Sequence, residues 1–225
     1  MSESSRALPN EAAFIDAATA RAYDEHARRF MGAVYRRLVR KAAQIDIPGK
    51  RVLDIGTGSG LLAIELARAR PDWLITGIDV SEEMLKLARQ NVAGAGSSDR
   101  IDFQRAGAVA LPFPDGSFAL VTSNASFRLW KDPYKVFNEI ARVTAPGGYC
   151  LVWDNLRVTA FLPLLGLIGR GMGMNSNQRW LWMRAVRSSY TLGETRAMIR
   201  ESILSDALVT FIPFFLMLGI EWRKI

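Results

Sequence analysis

The chain has 225 residues, 49% of them hydrophobic and 23% charged, which fits one domain with appendages and excludes general disorder. One cysteine and one histidine exclude an internal disulfide, a cysteine-held zinc or iron–sulfur cluster and a multi-histidine metal site. The net charge of +7 admits an anionic partner, but the basic residues are spread along the chain.

Met1 to Asn10 is polar and lacks the apolar core of a signal peptide. The longest apolar run, Ala207–Ile220, has 14 residues and contains Pro213, short of the roughly 20 that a spanning helix needs. These features predict a soluble, cytoplasmic protein with a reduced thiol. Glu11 to Gln44 reads as helical, with Phe30, Val34 and Leu38 on a core-facing stripe and Arg29, Arg36, Arg37 and Arg40 mostly on another side. That basic stripe is either a solvated helix face or a surface for an anionic membrane or substrate.

From Lys50 short strands alternate with helices. Arg51–Ile55 is a strand running into a glycine turn, Leu61–Arg70 a helix stopped by Pro71, and Trp73–Asp79 a second strand. Ser81 caps a helix lasting to about Ala93. Ile101–Arg105 and Phe118–Ser123 are the third and fourth strands. Asp132-Pro133 opens a helix that Pro146-Gly147-Gly148 ends, and Tyr149–Asp154 is the fifth strand. This rhythm predicts an α/β fold, a doubly wound and mostly parallel sheet.

Asn155 to Tyr190 breaks the rhythm with an apolar piece, Phe161–Ile168, a glycine-rich turn, Gly169–Gly173, and an aromatic helix with Trp180 and Trp182. Inserts of this length are usually lids or substrate walls. Thr191–Glu194 has capping-box spacing and begins a helix to about Leu204. Val209–Trp222 reads as a hairpin broken near Pro213. The organisation expected is an N-terminal helical cap (1–49), a core (50–154), an insert (155–190) and a C-terminal helix with strands completing the core (191–225).

The strongest local signal is Val52-Leu53-Asp54-Ile55-Gly56-Thr57-Gly58-Ser59-Gly60, a strand feeding a glycine turn and then a helix. A dinucleotide fingerprint needs Gly-x-Gly-x-x-Gly; here the third glycine comes one residue early, and Leu61 stands in its place. Asp54, just before the turn, repels a pyrophosphate and suits an ammonium group. No Gly-Lys-Ser/Thr phosphate loop is present, which argues against NTP hydrolysis. Asp79, closing the second strand, suits the two hydroxyls of a ribose; it can also merely cap the next helix.

In this order the sequence resembles the class I S-adenosylmethionine-dependent methyltransferases, in particular the small-molecule group similar to the ubiquinone/menaquinone-biosynthesis methyltransferases. The matching stretches are Val52–Gly60, Gly77–Leu85, Leu111–Phe118, Asp132-Pro133 and Pro146–Tyr149. The resemblance is strong over Lys50–Asp154 and weak from Thr191 onward. It implies a Rossmann-like methyltransferase fold with a seven-stranded sheet, N-terminal helices and a helical insert after the fifth strand, and it implies S-adenosyl-L-methionine as cofactor, with S-adenosyl-L-homocysteine as product.

The resemblance assigns Gly56, Thr57, Gly58 and Gly60 to the methionine part of the cofactor and Asp54 to its amino group, directly or through water. Asp79 takes the ribose hydroxyls, Val80 and Met84 pack on the adenine, and Gly107 and Ala108 line its edge. Ser123, Asn124 and Ala125 pass beside the sulfonium, and Tyr23 folds over the cofactor. Two departures stand out. Gly107 occupies the place of an aspartate that meets the adenine amino group, and Phe127-Arg128-Leu129-Trp130 replaces a Leu-His-His-Trp-like stretch.

For the chemistry, in-line displacement from a sulfonium mainly requires alignment of the acceptor, and a base only where the acceptor is protonated. His26, the sole histidine, is the candidate base. Asp154 can orient an acceptor beyond the fifth strand, and Arg128 can bind an acceptor carboxylate or phosphate; each also has a structural reading as a helix-packing, loop-capping or surface residue. Phe161, Leu164, Leu165, Met172, Met174, Trp182 and Met183 are the expected apolar wall of an acceptor pocket, which favours an apolar or aromatic small molecule. A homodimer interface or shallow membrane contact is the competing use of that insert. Cys150, inside the fifth strand, is expected to be a buried packing residue.

A nucleic-acid methyltransferase is disfavoured, because Asn124-Ala125-Ser126-Phe127 lacks the prolines of the amino-directed members and no basic RNA-binding domain is visible. A non-catalytic cofactor-binding partner protein stays open beside the enzyme, as does the acceptor atom.

Overall fold

The computed structural model describes residues 16–158 and 161–225; the predicted helical stretch from Glu11 to Ile15 lies outside them, as do two positions of the insert. The N-terminal stretch is two helices, α1 (Ala17–Phe30) and α2 (Gly32–Gln44), separated at Met31. Asp16 caps α1, its side chain accepting from Thr19 N at 2.8 Å. On α2, Val34, Tyr35, Leu38, Val39 and Ala42 are buried, while Arg36, Arg37 and Arg40 face out, as the spacing requires.

The alternating region gives β1 (Arg51–Ile55), α3 (Leu61–Ala69), β2 (Leu74–Asp79), α4 (Glu82–Gly94), β3 (Ile101–Arg105), β4 (Phe118–Asn124), α5 (Pro133–Val143) and β5 (Thr144–Asn155). Then come α6 (Leu162–Gly171), α7 (Ser176–Ser188), α8 (Leu192–Arg200), β6 (Leu208–Ile212) and β7 (Met217–Arg223). The sheet has seven strands in the order β3-β2-β1-β4-β5-β7-β6. β1 to β5 pair in parallel, and β7 runs antiparallel to both β5 and β6. It is the doubly wound, mostly parallel sheet expected. β6 and β7 close its far edge, so the C-terminal segment completes the same sheet as the core.

The period-2 alternation of the strands builds two cores. Val52, Leu151 and Trp153 face α2, α3 and α4, whereas Leu53, Cys150 and Val152 face α5 and α8. α5 buries Val136, Phe137 and Ile140 completely, each contributing about 1.5–3 kcal/mol. Cys150 is fully buried, and burial pushes its thiol up to about 12, so it packs and does not react.

Three boundaries differ from expectation. Pro146-Gly147-Gly148 does not end α5. That helix stops at Val143, because Thr144 already pairs with Phe118 of β4 and donates its hydroxyl to Ile140 O at 2.6 Å. The Pro-Gly-Gly stretch is an irregularity inside β5, held by Gly147 N donating to Lys224 O at 2.8 Å. Gly169 and Gly171 belong to α6 and not to a glycine turn; a Cβ on Gly169 would lie 3.0 Å from Arg179 Cγ, so this glycine lets α6 and α7 approach. α8 ends at Arg200, four residues before Leu204.

Candidate functional site

The C-terminal ends of β1, β2 and β4 enclose a cavity of about 610 Å³, where open α/β sheets bind ligands. Its floor is the β1–α3 turn. Gly56 has φ 69°, in the left-handed region, and a Cβ there would sit 2.5 Å from Ser126 Cβ, so only glycine fits against the turn after β4. Gly58 lines the cavity beside Tyr23. Gly60 does not; it caps α3, and a Cβ on it would meet Phe103 at 2.9 Å and Ala88 at 3.1 Å. Its bare Cα lets α4 and β3 pack closely against the start of α3.

Asp54 lies beneath the turn, 1% exposed. It accepts hydrogen bonds from Thr57 Oγ1 at 2.7 Å and Thr122 Oγ1 at 3.0 Å. Burial raises its carboxyl to about 7 against the pull of those two hydrogen bonds. Thr57 is thereby a brace of the turn and, like Asp54, is not among the cavity-lining residues. Asp79 does line the cavity. Its oxygens accept from Gly58 N and Ser81 N, both at 2.9 Å, which ties the β1 turn to the start of α4 and leaves lone pairs facing the cavity. Burial pushes Asp79 up as well, with three backbone N–H groups pulling the other way.

Beside Asp79, Val80 is 64% exposed and Met84 is 2% exposed, and both line an apolar slot with Gly107 and Ala108. A Cβ on Gly107 would meet nothing nearer than Val80 at 4.0 Å, so the place of the missing aspartate is open. Tyr23 comes over from α1, and burial raises its phenol above the usual range.

The far side is built by the 3-10 turn Phe127–Leu129 after β4. Ser123 and Asn124 are buried and absent from the cavity lining; Ser123 Oγ donates to Ile55 O at 2.9 Å and, its proton so used, accepts from Ser126 Oγ at 2.6 Å. The lining residues are instead the next two, Ala125 and Ser126. Ala125 is held at φ 59°, a conformation that costs a non-glycine residue about 1 kcal/mol or more. Phe127 turns into the core, where it meets Trp130 edge-on and Phe137 and Tyr190 at a tilt, while Trp130 also lines the cavity.

Arg128 is 7% exposed and Asp154 is fully buried. Arg128 Nη1 pairs with Asp154 Oδ1 at 2.8 Å and also donates to Ala125 O, while Asp154 Oδ2 accepts from Arg128 N at 2.8 Å. The two residues expected to meet an acceptor are thus paired with each other, and Arg128 also lines the cavity wall. The pair fixes the turn that carries Ala125 and Ser126. His26 sits on α1 with its ring stacked on Phe30 at 4.9 Å, outside the cavity lining, and burial lowers its pKa.

The expected acceptor wall also stands elsewhere. Leu165 and Met174 are buried, while Phe161, Leu164 and Met172 are exposed, and none of the seven residues lines the cavity. Residues that sequence reasoning missed include Ser126, Leu129, Trp130 and Arg105, all on the cavity wall. A side chain opposite a glycine, as Ser126 is to Gly56, leaves no local signal.

Residues 53–152 match a family profile described as a methyltransferase domain. The matched stretch is 100 of the chain's 225 residues. Demethylmenaquinone methyltransferase of Thermus thermophilus is 43% identical over 105 residues, 47% of this chain and 47% of that protein. 27-O-demethylrifamycin SV methyltransferase of Amycolatopsis mediterranei is 40% identical over 110 residues, 49% of this chain and 40% of that protein. The matched part spans less than half the length of either relative. A Methanococcus maripaludis protein assigned to the S-adenosyl-L-methionine-dependent methyltransferases superposes with a TM-score of 0.73 at 23% identity, covering 100% of this chain and 97% of that one; at this identity the likeness establishes the fold.

S-adenosylmethionine is the cofactor of such a methyltransferase domain, and the residues present fit it. Two carboxylates, Asp54 and Asp79, both raised by burial, stand where a cationic, hydroxyl-bearing ligand would relieve them. The apolar slot of Val80, Met84 and Ala108 suits a flat base. Among the described residues, no phosphate-binding loop with a lysine is present at the turn.

Proposed function

We propose that this chain transfers a methyl group from S-adenosylmethionine to a small apolar or aromatic acceptor. The observation that carries the reading is the pairing of Asp79 at the cavity wall with Asp54 beneath the glycine turn, a pattern that repels a diphosphate and attracts an ammonium-bearing nucleoside.

In this reading Asp79 accepts from the ribose hydroxyls while its bonds to Gly58 N and Ser81 N hold it in place. Val80, Met84, Gly107 and Ala108 take the base, and Gly56 and Gly58 let the backbone approach the amino-acid end. Asp54 balances the ammonium group through the turn. The bound cofactor supplies an already activated methyl, so the protein's task is alignment and exclusion of water. Ala125 and Ser126 form the wall toward which an acceptor would be pressed, and the Arg128–Asp154 pair positions them. Tyr23 covers the cavity from α1. With His26 outside the lining, an acceptor that loses its proton in solution or to water, such as an acidic phenol, suits the site better than one needing a strong base.

The test is methyl transfer from labelled S-adenosylmethionine to a panel of hydroquinones, phenols and fatty acids, followed by mass analysis of the product. Methylation of at least one apolar acceptor, lost in Asp79→Asn, is the expected result. Tight cofactor uptake with no transfer to any member, and transfer instead to RNA, would contradict it.

A further inference from the structure

The insert turns its apolar side chains away from the cavity, and this orientation calls for a partner. α6 and α7 pack closely, and Leu165, Gly169 and Met174 are buried at their inner side. On the outer side Leu164, Leu167 and Ile168 follow helical spacing at 50%, 62% and 41% exposure, continued by Met172 at 46%. On α7, Trp180 and Leu181 are 53% and 47% exposed. Such a contiguous exposed apolar face marks an interaction site.

Its charge says which kind. From Asn155 to Gly193 the sequence has five arginines and neither aspartate nor glutamate, and one of the five, Arg157, is largely buried in an ion pair with Glu194. Arg170 and Arg187 face solvent, and Arg184 lies over the Trp180 ring at 5.2 Å. The turn between the helices abuts Arg29 of α1, whose Nη2 donates to Gly173 O at 3.3 Å. Close to the start of the insert, Leu156 N donates to Leu216 O, so the β6–β7 turn with Phe214, 86% exposed, stands beside it. Apolar side chains, an arginine-stacked tryptophan and the exposed Arg170 and Arg187 are what an anionic membrane surface attracts. A second copy would bring the same arginines face to face with no acidic residue in the segment to pair them. α6, at 10 residues, is about 15 Å long and cannot cross a bilayer, and among the described residues no helix is long and apolar enough to do so.

We propose that the α6–α7 hairpin docks on an anionic lipid bilayer, lying in its surface. Docking holds the chain, and its cavity with it, at the surface in which an apolar acceptor dissolves. That consequence rests on the methyltransferase reading; the docking itself does not.

The test is co-sedimentation of the full chain with vesicles of phosphatidylcholine alone or with about one-third phosphatidylglycerol, with calorimetric titration of S-adenosylhomocysteine in parallel. The expected result is a partition at least tenfold stronger on anionic vesicles, weakened several-fold by half-molar salt. The double variant Leu167→Glu/Trp180→Glu should lose it at least tenfold, and Arg170→Glu/Arg187→Glu should lose its lipid-charge dependence. Both pairs are exposed, and their homocysteine-product affinity should match the wild type, which shows that they fold. Equal sedimentation of wild type and variants, absence of vesicle binding, or a wild-type dimer that Leu167→Glu/Trp180→Glu dissociates would each overturn the proposal. Vesicle binding without uptake of S-adenosylhomocysteine would uphold docking while refuting the methyltransferase reading.

Discussion

The β1–α3 turn and the α6–α7 hairpin are both glycine-containing segments at the same end of the sheet, and they obey different logic. In the turn, each group is fixed by a short-range partner: Thr57 by Asp54, Gly58 by Asp79, Gly56 by the closeness of Ser126. In the hairpin only the inner residues are held, and the larger apolar side chains look outward. The first region is built to hold a ligand in one geometry. The second is built to present a surface, and its chemistry is decided by what it meets.

Changes on the cavity side should therefore be costly, and changes on the hairpin's outer face should not. The largest effect is expected from Arg128→Ala, which strands the buried Asp154 carboxylate. Loss of one member of a buried pair costs about 3–5 kcal/mol, and a thermal melt should fall by roughly 10 °C at this chain length. A melt within about 2 °C of wild type would mean that the pair does not hold the 3-10 turn. Next, Asp79→Asn should weaken S-adenosylhomocysteine binding by roughly 30- to 100-fold, the equivalent of about 2–3 kcal/mol for hydrogen bonds to a charged acceptor. Calorimetry reads it, and a change below about threefold would remove Asp79 from the ligand's contacts.

The pH dependence is sharper in sign than in size. Asp54 titrates near 7 in the folded chain, above its unfolded value of about 3.9. The folded state then binds more protons between those values, so the ligand-free melting temperature should fall as pH rises from about 5 to 8. A cationic ligand favours the ionised carboxylate, so its affinity should run the opposite way and drop by up to about tenfold per pH unit below 7. Asp54→Asn should flatten both trends. Ligand affinity that rises on acidification would contradict the assignment of Asp54.

Gly107→Asp offers a gain. The position is open, and a carboxylate there can accept from an exocyclic amino group, for about 1 kcal/mol or roughly fivefold tighter binding. Looser binding would show that the base does not lie in the Val80–Met84 slot. At the small end, Leu167→Glu should leave ligand affinity within about twofold, because an exposed site far from special geometry changes little.

The same contrast explains what was legible in the chain. Ser81, Asp132-Pro133 and the Thr191–Glu194 box announce helix starts because each cap is satisfied within three residues. The tight turn at Gly56 and Gly58 and the strand end at Asp79 were legible for a similar reason, since a strand, a tight turn and a strand end constrain residue type locally. The Arg128–Asp154 pair was not, because it joins residues 26 apart through the β4–β5 register. Pro146-Gly147-Gly148 was misread because α5 is ended by Thr144 pairing with Phe118 and the stretch itself is held by Lys224, both contacts between remote parts of the chain. The insert's helices were visible from their spacing, but amphipathic spacing gives two faces and not the direction in which either points.

The most direct measurement is calorimetric titration of the full chain at pH 8 with S-adenosylhomocysteine and, separately, with NAD. The account predicts micromolar or tighter uptake of the nucleoside thioether, abolished or reduced at least 30-fold in Asp79→Asn, and no heat from NAD. Tight binding of NAD together with indifference to S-adenosylhomocysteine would contradict it.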